Sequence, residues 1–177
     1  MERTDIVTEC KEIFLRKITV KDAPLIVKWR NNERVRENFI YREKFTLEGQ
    51  LRWQKTMVDT GKVAQYIICE KPDGRPVGSV YFRDIDPVEM SAEYGIFIGE
   101  DDALGKGYGN ITAVLATDYA KETLKLRRVI LRVFTRNLPA LNSYKNAGFH
   151  VVSELPGVEC SDGQKDDMIL MEKSLFS

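Results

Sequence analysis

Residues 101–110 read DDALGKGYGN and place glycine at 105, 107 and 109, between an apolar run ending at Gly99 and another beginning at Ile111. Three glycines in five positions are costly to order. A chain keeps them where it needs a tight turn or a close approach of backbone to a ligand. The run 91–99 (SAEYGIFIG) has strand character. Beyond the loop, Tyr108, Ile111, Leu115 and Tyr119 recur at steps of three and four, which predicts an amphipathic helix over 107–125. The unit is therefore strand, bare loop, helix. Its N–H groups at 105–110 point along the helix axis with the positive end of the dipole behind them, which makes an anion site. Lys106 adds charge at the rim. A plain hinge that uses glycine only for turn geometry is the competing reading.

Two common phosphate loops fail on spacing. A dinucleotide fingerprint needs GxGxxG near the first strand. Here the pattern is GxGxG, late in the chain, with Asn110 where the last glycine belongs. A P-loop needs four residues between its first glycine and Gly-Lys. From Gly99 to Gly105 there are five, and Gly107 follows Lys106.

Composition removes other classes. The 177 residues suit a single domain over 1–177. Lys plus Arg equals Asp plus Glu, 27 each, so no global field draws nucleic acid or an anionic membrane. No apolar run approaches the roughly 20 residues that span a bilayer, and MERTDIVTECKE lacks the apolar core of a secretory leader. Cys10, Cys69 and Cys160 form no CxxC pair, so neither a disulfide framework nor a metal site is expected, and a cytoplasmic home is. The one histidine, His150, opens an apolar stretch and reads as an edge or surface strand position rather than a catalytic group.

The remaining elements follow from periodicity and caps. Residues 13–19 predict a strand, 22–31 a helix with Asp22 as cap before Pro24, and 46–58 a helix capped by Thr46. Runs 63–71 and 76–86 flank Pro-Asp-Gly-Arg at 72–75, a hairpin signal, and 91–99 completes an antiparallel meander. After the glycine loop and its helix, 128–135 is a strand. Asn137 caps a short helix with Pro139 in its first turn and Gly148 at its end. Strands at 149–155 and 166–173 surround a polar loop with Pro156, Gly157 and Gly163. The order β-α-α-β-β-β-α-β-α-β-β predicts an α/β (α+β) fold, a mixed, largely antiparallel seven-stranded sheet flanked by about four helices.

Residues 137–149 read NLPALNSYKNAGF. Together with the glycine loop and the strand order, they resemble the GNAT superfamily of acetyl-CoA-dependent N-acetyltransferases. The family's [QR]-x-x-G-x-[GA] is matched at Gly107 and Gly109, with Leu104 in place of the first polar residue. Its N-x-x-A-x-x-x-Y-x-x-x-G-F is matched at Asn137, Ala140, Tyr144, Gly148 and Phe149. Trp29-Arg30-Asn31-Asn32 and 167–171 (DMILM) resemble the Rim-type branch, which acetylates N-termini of ribosomal proteins.

The resemblance implies acetyl-CoA as co-substrate, with its pyrophosphate on the backbone of Leu104, Gly105, Lys106, Gly107, Tyr108, Gly109 and Asn110. The pantetheine arm is expected to lie against main-chain groups of Phe97, Ile98 and Gly99, with Gly95 marking a bulge that opens the slot. Tyr144 stands at the family's acid position, where a phenol hands a proton to sulfur. Glu93 is either the base for the amine or a solvated strand charge. Asn137 and Asn142 are expected at the pantetheine or a bound water, and Lys145 either reaches a phosphate or is solvated. The acceptor is expected to be a protein N-terminal amine, with an amino-sugar nucleotide or a polyamine as the alternative and a non-catalytic acyl-CoA-binding module behind both. No metal, nucleic acid or membrane partner is expected, and the chain is expected to be a monomer or homodimer. The basic residues of 28–44 are either an acceptor-facing rim, which suits an acidic or phosphorylated acceptor such as a nucleotide-linked amino sugar, or a solvated helix face.

Overall fold

The computed structural model describes residues 5–176. Eight strands form one sheet in the order β1-β2-β3-β4-β5-β6-β8-β7. They are β1 (Ile6–Glu9), β2 (Ile13–Lys17), β3 (Ala64–Glu70), β4 (Pro76–Asp86), β5 (Ser91–Ile98), β6 (Arg128–Phe134), β7 (His150–Glu159) and β8 (Lys165–Ser174). Five α-helices join them: α1 (Ala23–Asn31), α2 (Glu33–Arg36), α3 (Leu47–Trp53), α4 (Tyr108–Glu122) and α5 (Leu138–Asn146). Every neighbouring pair is antiparallel except β5 and β6. The mixed, largely antiparallel sheet expected from sequence is present.

Three differences have local causes. The eighth strand is β1, whose four residues (IVTE) are too short to carry a readable period and whose partner is the hairpin arm β2. The fifth helix is the single turn α2. Asn32 leaves α1 in an extended conformation (φ −62°, ψ 126°) and its side chain accepts from Arg34 N, which restarts a helix one residue on. The loop expected at Pro156-Gly157 is a bulge inside β7, where Leu155 faces Met168 and Val158 faces Asp166. Gly157 takes φ +63° there and its N–H donates to Asp167 Oδ1 at 2.9 Å. Pro156 fits because β7 is the sheet edge, where a missing N–H breaks no ladder.

The sheet separates two layers. On one face α4 and α5 cover a cluster that includes Val80, Phe82, Ala92, Tyr94, Val129 and Leu131. Ala113, Ala116 and Ala120 let α4 approach closely. On the other face α1 packs Ile26 and Trp29 against Ile67, Cys69 and Phe97. The predicted caps Thr46 and Asn137 accept from Gly49 N and Ala140 N. Asp22 does not cap α1. Its carboxylate instead takes both Nη atoms of Arg16 at 2.8 and 2.9 Å and the N–H of Thr19 at 2.8 Å.

Burial by itself raises the Asp22 carboxyl, but the bonds from Arg16 and Thr19 outweigh it and hold the group below its ordinary 3.8. A depressed folded-state value contributes stability above 3.8 that is lost as pH falls below it. Asp22→Asn is expected to lower unfolding free energy by about 2 kcal/mol at pH 7 in a urea titration, because it leaves Arg16 unpaired. The gap between mutant and wild type should close as pH falls below 3.8.

Candidate active site

The parallel pair β5–β6 lasts only three residues: Ser91, Ala92 and Glu93 face Arg128, Val129 and Ile130. Beyond Glu93, β5 stays with β4 as far as Ile98, while β6 stays with β8 as far as Phe134. The two strands part and leave a gap in the sheet. A cavity of about 840 Å³ occupies it and is lined from both layers. From the α4/α5 side come Gly105, Gly107, Asn137 and Tyr144. From the α1–α3 side come Arg30, Trp53, Tyr81, Arg83, Glu93 and Arg132.

The expected bulge at Gly95 is not there. Tyr81 faces Gly95 in regular register, and the irregularity lies between Arg83 and Asp86 of β4, where Asp84 takes φ +51°. Gly95 instead makes room for a neighbour, since a Cβ there would overlap the Tyr81 ring and hydroxyl. Strand alternation then sorts the expected main-chain contacts. Gly99 N–H donates to Val77 O at 2.7 Å, so odd positions of this segment bond toward β4. Phe97 and Gly99 therefore turn their polar groups to β4, and Ile96 and Ile98 turn theirs to the gap. Ile98 O accepts from Arg34 Nη2 at 3.0 Å. A side chain at Gly99 would strike the Trp29 indole.

The glycine loop is held at its edges and bare at its centre. Tyr108 OH donates to Glu70 Oε2 at 3.0 Å and Lys106 Nζ reaches the same oxygen at 3.3 Å. Arg75 joins Glu70 (2.8 Å) to Asp102 (3.0 Å). Burial raises the Glu70 carboxyl, but the bonds from Arg75, Tyr108 and Lys106 outweigh it and hold it below its ordinary value. Gly105 (φ +75°) and Gly107 (φ +79°) are left-handed, and a Cβ on either meets nothing within 4 Å. Gly107 is the N-cap of α4 and Ile111 N makes the first helical bond to it. Among the described residues nothing accepts from the N–H groups of Tyr108, Gly109 or Asn110. Asn110 Oδ1 is buried beside them without a partner. Leu104 is exposed at the cavity edge. At Gly109, α4 passes close to α5: a Cβ would stand 3.4 Å from Ser143 Oγ.

Tyr144 is buried on α5 against Tyr94 and Phe149, with ring centroids 6.1 and 5.8 Å away. Burial, helped by Tyr81, raises its phenol well above the ordinary 10, so it stays protonated. Asn137 lines the cavity while its side chain caps α5. Asn142 and Lys145 are exposed on α5 and are not part of the lining.

Glu93 sits at the fork, held by two arginines. Oε1 accepts from Arg132 Nε at 2.9 Å and Arg83 Nη2 at 3.2 Å, and Oε2 lies 3.4 Å from Arg132 Nη2. Arg132 stands on β6 past the last paired residue, so this ion pair bridges the open end of the gap. The carboxylate is neither free nor simply solvated. Its clearest structural role is to hold Arg83 and Arg132.

The basic stretch 28–44 divides. Lys28, Arg34 and Arg42 pair with Glu100, Asp101 and Asp162. Arg30 turns inward, is only 9% exposed, and has no hydrogen bond or ion pair among the described residues. Periodicity missed it, and it missed Tyr81, Arg83 and Arg132 as a group, because three elements bring these four together. The Trp-Arg pair on α1 was the one available signal, since Trp29 is fully buried beside it. His150 is exposed at the start of β7. Among the described residues no cluster of His, Cys, Asp or Glu could hold a metal, and no helix is long and apolar enough to cross a membrane.

A family profile described as an acetyltransferase (GNAT) domain matches residues 12–150. The chain belongs to the GNAT family. Among curated relatives of this GNAT chain, spermidine N(1)-acetyltransferase of Escherichia coli K12 is 34% identical over 99 residues, 56% of this chain and 53% of that one. The matched stretch thus spans about half the length of that relative. N-acetyltransferase p20 of Bacillus licheniformis is 23% identical over 90% of this chain and 91% of its own. Among solved structures, spermidine N-acetyltransferase from Vibrio cholerae in complex with CoA and spermine superposes with a TM-score of 0.85 at 20% identity, over 92% of this chain and 95% of that one. At that identity the likeness establishes the fold. The Escherichia coli and Vibrio cholerae proteins are named as spermidine enzymes, whereas the sequence resemblance pointed to the Rim-type branch.

Proposed function

We propose that this GNAT protein moves an acetyl group from acetyl-CoA to the primary amine of a small acceptor that is not a polycation, by direct transfer within a ternary complex. Acetyl-CoA brings the activated thioester. The residues present suit it: the unpartnered N–H groups at the start of α4 face an open, glycine-lined space that fits a pyrophosphate. The gap-facing main chain of Ile96 and Ile98 offers a strand edge for the pantetheine amides. Tyr144 holds a proton for the departing sulfur. The gap lets the amine arrive from the α1–α3 side while Tyr144 acts from the other.

The observation that carries the acceptor reading is the charge of the lining. In the lining, Arg30, Arg34, Lys44, Arg83 and Arg132 stand with one acid, Glu93, which two of those arginines already hold, while Arg34 pairs with Asp101 outside the lining. A polyamine would meet like charge, and no acidic residue of the lining is left to receive it. Loop 37–45 also closes the acceptor side, pinned by Arg42 to Ser161 and Asp162 and by Arg136 to Glu37 and Asn38. A small acceptor suits such a closed wall better than a protein N-terminus, which is the second reading and the one the Rim-type resemblance favours.

Thiol release with acetyl-CoA over a panel of spermidine, N-terminal peptides and amino-sugar nucleotides tests this. A non-polycationic amine is expected to give the highest kcat/KM, with spermidine lower by on the order of tenfold or more. Spermidine at the top would overturn the acceptor assignment. No thiol release with any amine would overturn catalysis itself.

A further inference from the structure

Among the described residues the Arg30 guanidinium is the one cation of the cavity wall that the fold surrounds with aromatic rings and gives no anion. Its Cζ lies 3.8 Å from the centroid of Phe39, 4.4 Å from that of Phe45 and 5.7 Å from that of Phe97. At 3.8 Å the guanidinium packs against the Phe39 ring, and it carries five N–H donors. Among the described residues none of them meets an acceptor, and Nε is fully buried without a partner. Burial pushes the group down to about 10, so it remains charged at neutral pH. A buried, unpaired charge is destabilising, and ring contacts return only part of that cost.

The rings that hold Arg30 are themselves fixed. Asn31 bonds the backbone of Phe45 in both directions, Nδ2 to O at 2.9 Å and N–H to Oδ1 at 2.7 Å. Phe39 O accepts from Arg42 Nε at 3.1 Å, and Arg42 is anchored to the β7–β8 loop. The segments that carry the Phe39 and Phe45 rings are therefore held in place before anything binds.

Resting on the acceptor reading above, we infer that Arg30 is the specificity residue of the acceptor site and grips an anionic group, a carboxylate or a phosphate, carried on the same small molecule as the reactive amine. A planar fork of donors suits either oxyanion, and the Nη edge of the fork is unpaired and not fully buried. Burial makes the pairing selective: an anion restores what Arg30 lost on leaving water, whereas a neutral acceptor leaves it uncompensated and a cationic one adds repulsion. Arg83, close enough to repel Arg30, adds positive potential on the same side of the cavity, although it shares Glu93 with Arg132 and has Asp84 at 3.9 Å. Wild-type protein therefore prefers an acidic amine over its neutral counterpart, and that preference resides in Arg30.

Binding tests this without turnover. With CoA saturating the glycine loop, inorganic phosphate and, in a separate arm, malonate are titrated by calorimetry into wild type, Arg30→Gln and Arg30→Lys. At least one probe is expected to bind wild type on the order of 10- to 100-fold more tightly than Arg30→Gln, with Arg30→Lys between them. The probe that shows the effect identifies the oxyanion. Unchanged CoA affinity and circular dichroism confirm that a variant is folded. If Arg30→Gln fails that check, Arg30→Lys carries the test alone, because it keeps the charge and loses the fork. The inference is overturned if neither probe binds wild type in the presence of CoA, or if both bind every folded variant equally. Loss of thiol release with all amines, by contrast, would undo the transfer chemistry and leave this result standing.

Discussion

Tyr144→Phe is expected to lower kcat on the order of 100- to 1000-fold while leaving KM for acetyl-CoA within about twofold. The substitution removes one oxygen and keeps the ring, so the contacts with Tyr94 and Phe149 survive and the protein should fold as before. What it removes is a proton held in place at the gap. Burial raises the Tyr144 phenol above 10, so the group is protonated throughout the working range and its protonation should impose no alkaline decline below that value. Steady-state thiol release from pH 6 to 10 checks both points. A kcat within a factor of three of wild type would remove Tyr144 from the chemistry, and the binding of acetyl-CoA would be untouched by that result.

Gly107→Val should act on the other half of the site. Gly107 holds φ +79°, where a β-branched residue is strained by more than the ~1–2 kcal/mol an ordinary side chain loses there. The new side chain would also enter the open space in front of the α4 N–H groups. KM for acetyl-CoA is expected to rise on the order of 10- to 100-fold, from lost charge-assisted bonds to the pyrophosphate. The fold itself should persist, because Lys106 and Tyr108 still tie the loop to Glu70. Calorimetric titration with CoA reads the effect directly. Equal affinity in mutant and wild type would mean that the bare loop is only a hinge.

The two experiments divide the site as the fold divides it. Tyr144 and the glycine loop belong to the α4/α5 layer, and Arg30 and Arg83 face the cavity from the other layer. The single opening between β5 and β6 joins them. A polyamine name on a solved structure at 20% identity speaks to the shared fold alone. The cavity lining of this chain carries five basic residues and one acid, the opposite balance from what a polyamine needs.

Most of the framework was legible because its signals are local. Caps at Thr46 and Asn137, the turn at 72–75, the spacing of α4 and the strand runs each depend on neighbours in sequence. So does the glycine loop, whose left-handed positions at 105 and 107 require glycine whatever surrounds them. What escaped was either too short for a period to show, as with β1 and α2, or tolerated only because of an edge, as with Pro156 in β7. The bulge expected at Gly95 was misplaced for a related reason. Glycine there makes room for Tyr81 across the sheet, and no local pattern distinguishes a glycine kept for a neighbour from one kept for a bend.

The sequence by itself determined the GNAT unit: a bare loop feeding a helix, and a tyrosine seven residues into a helix capped by Asn137. These are backbone and spacing requirements, which a linear pattern can express. Tertiary structure decided the charge of the acceptor side. Arg30 looked like one of six cations in the stretch 28–44, either rim or solvated face, and only packing against Phe39, Phe45 and Phe97 buried it and left it without an anion. Glu93 looked like a free carboxylate, and only the register of β4, β5 and β6 placed two arginines on it. Burial and ion pairing depend on residues far apart in the chain meeting in space, so they are properties of the folded molecule alone.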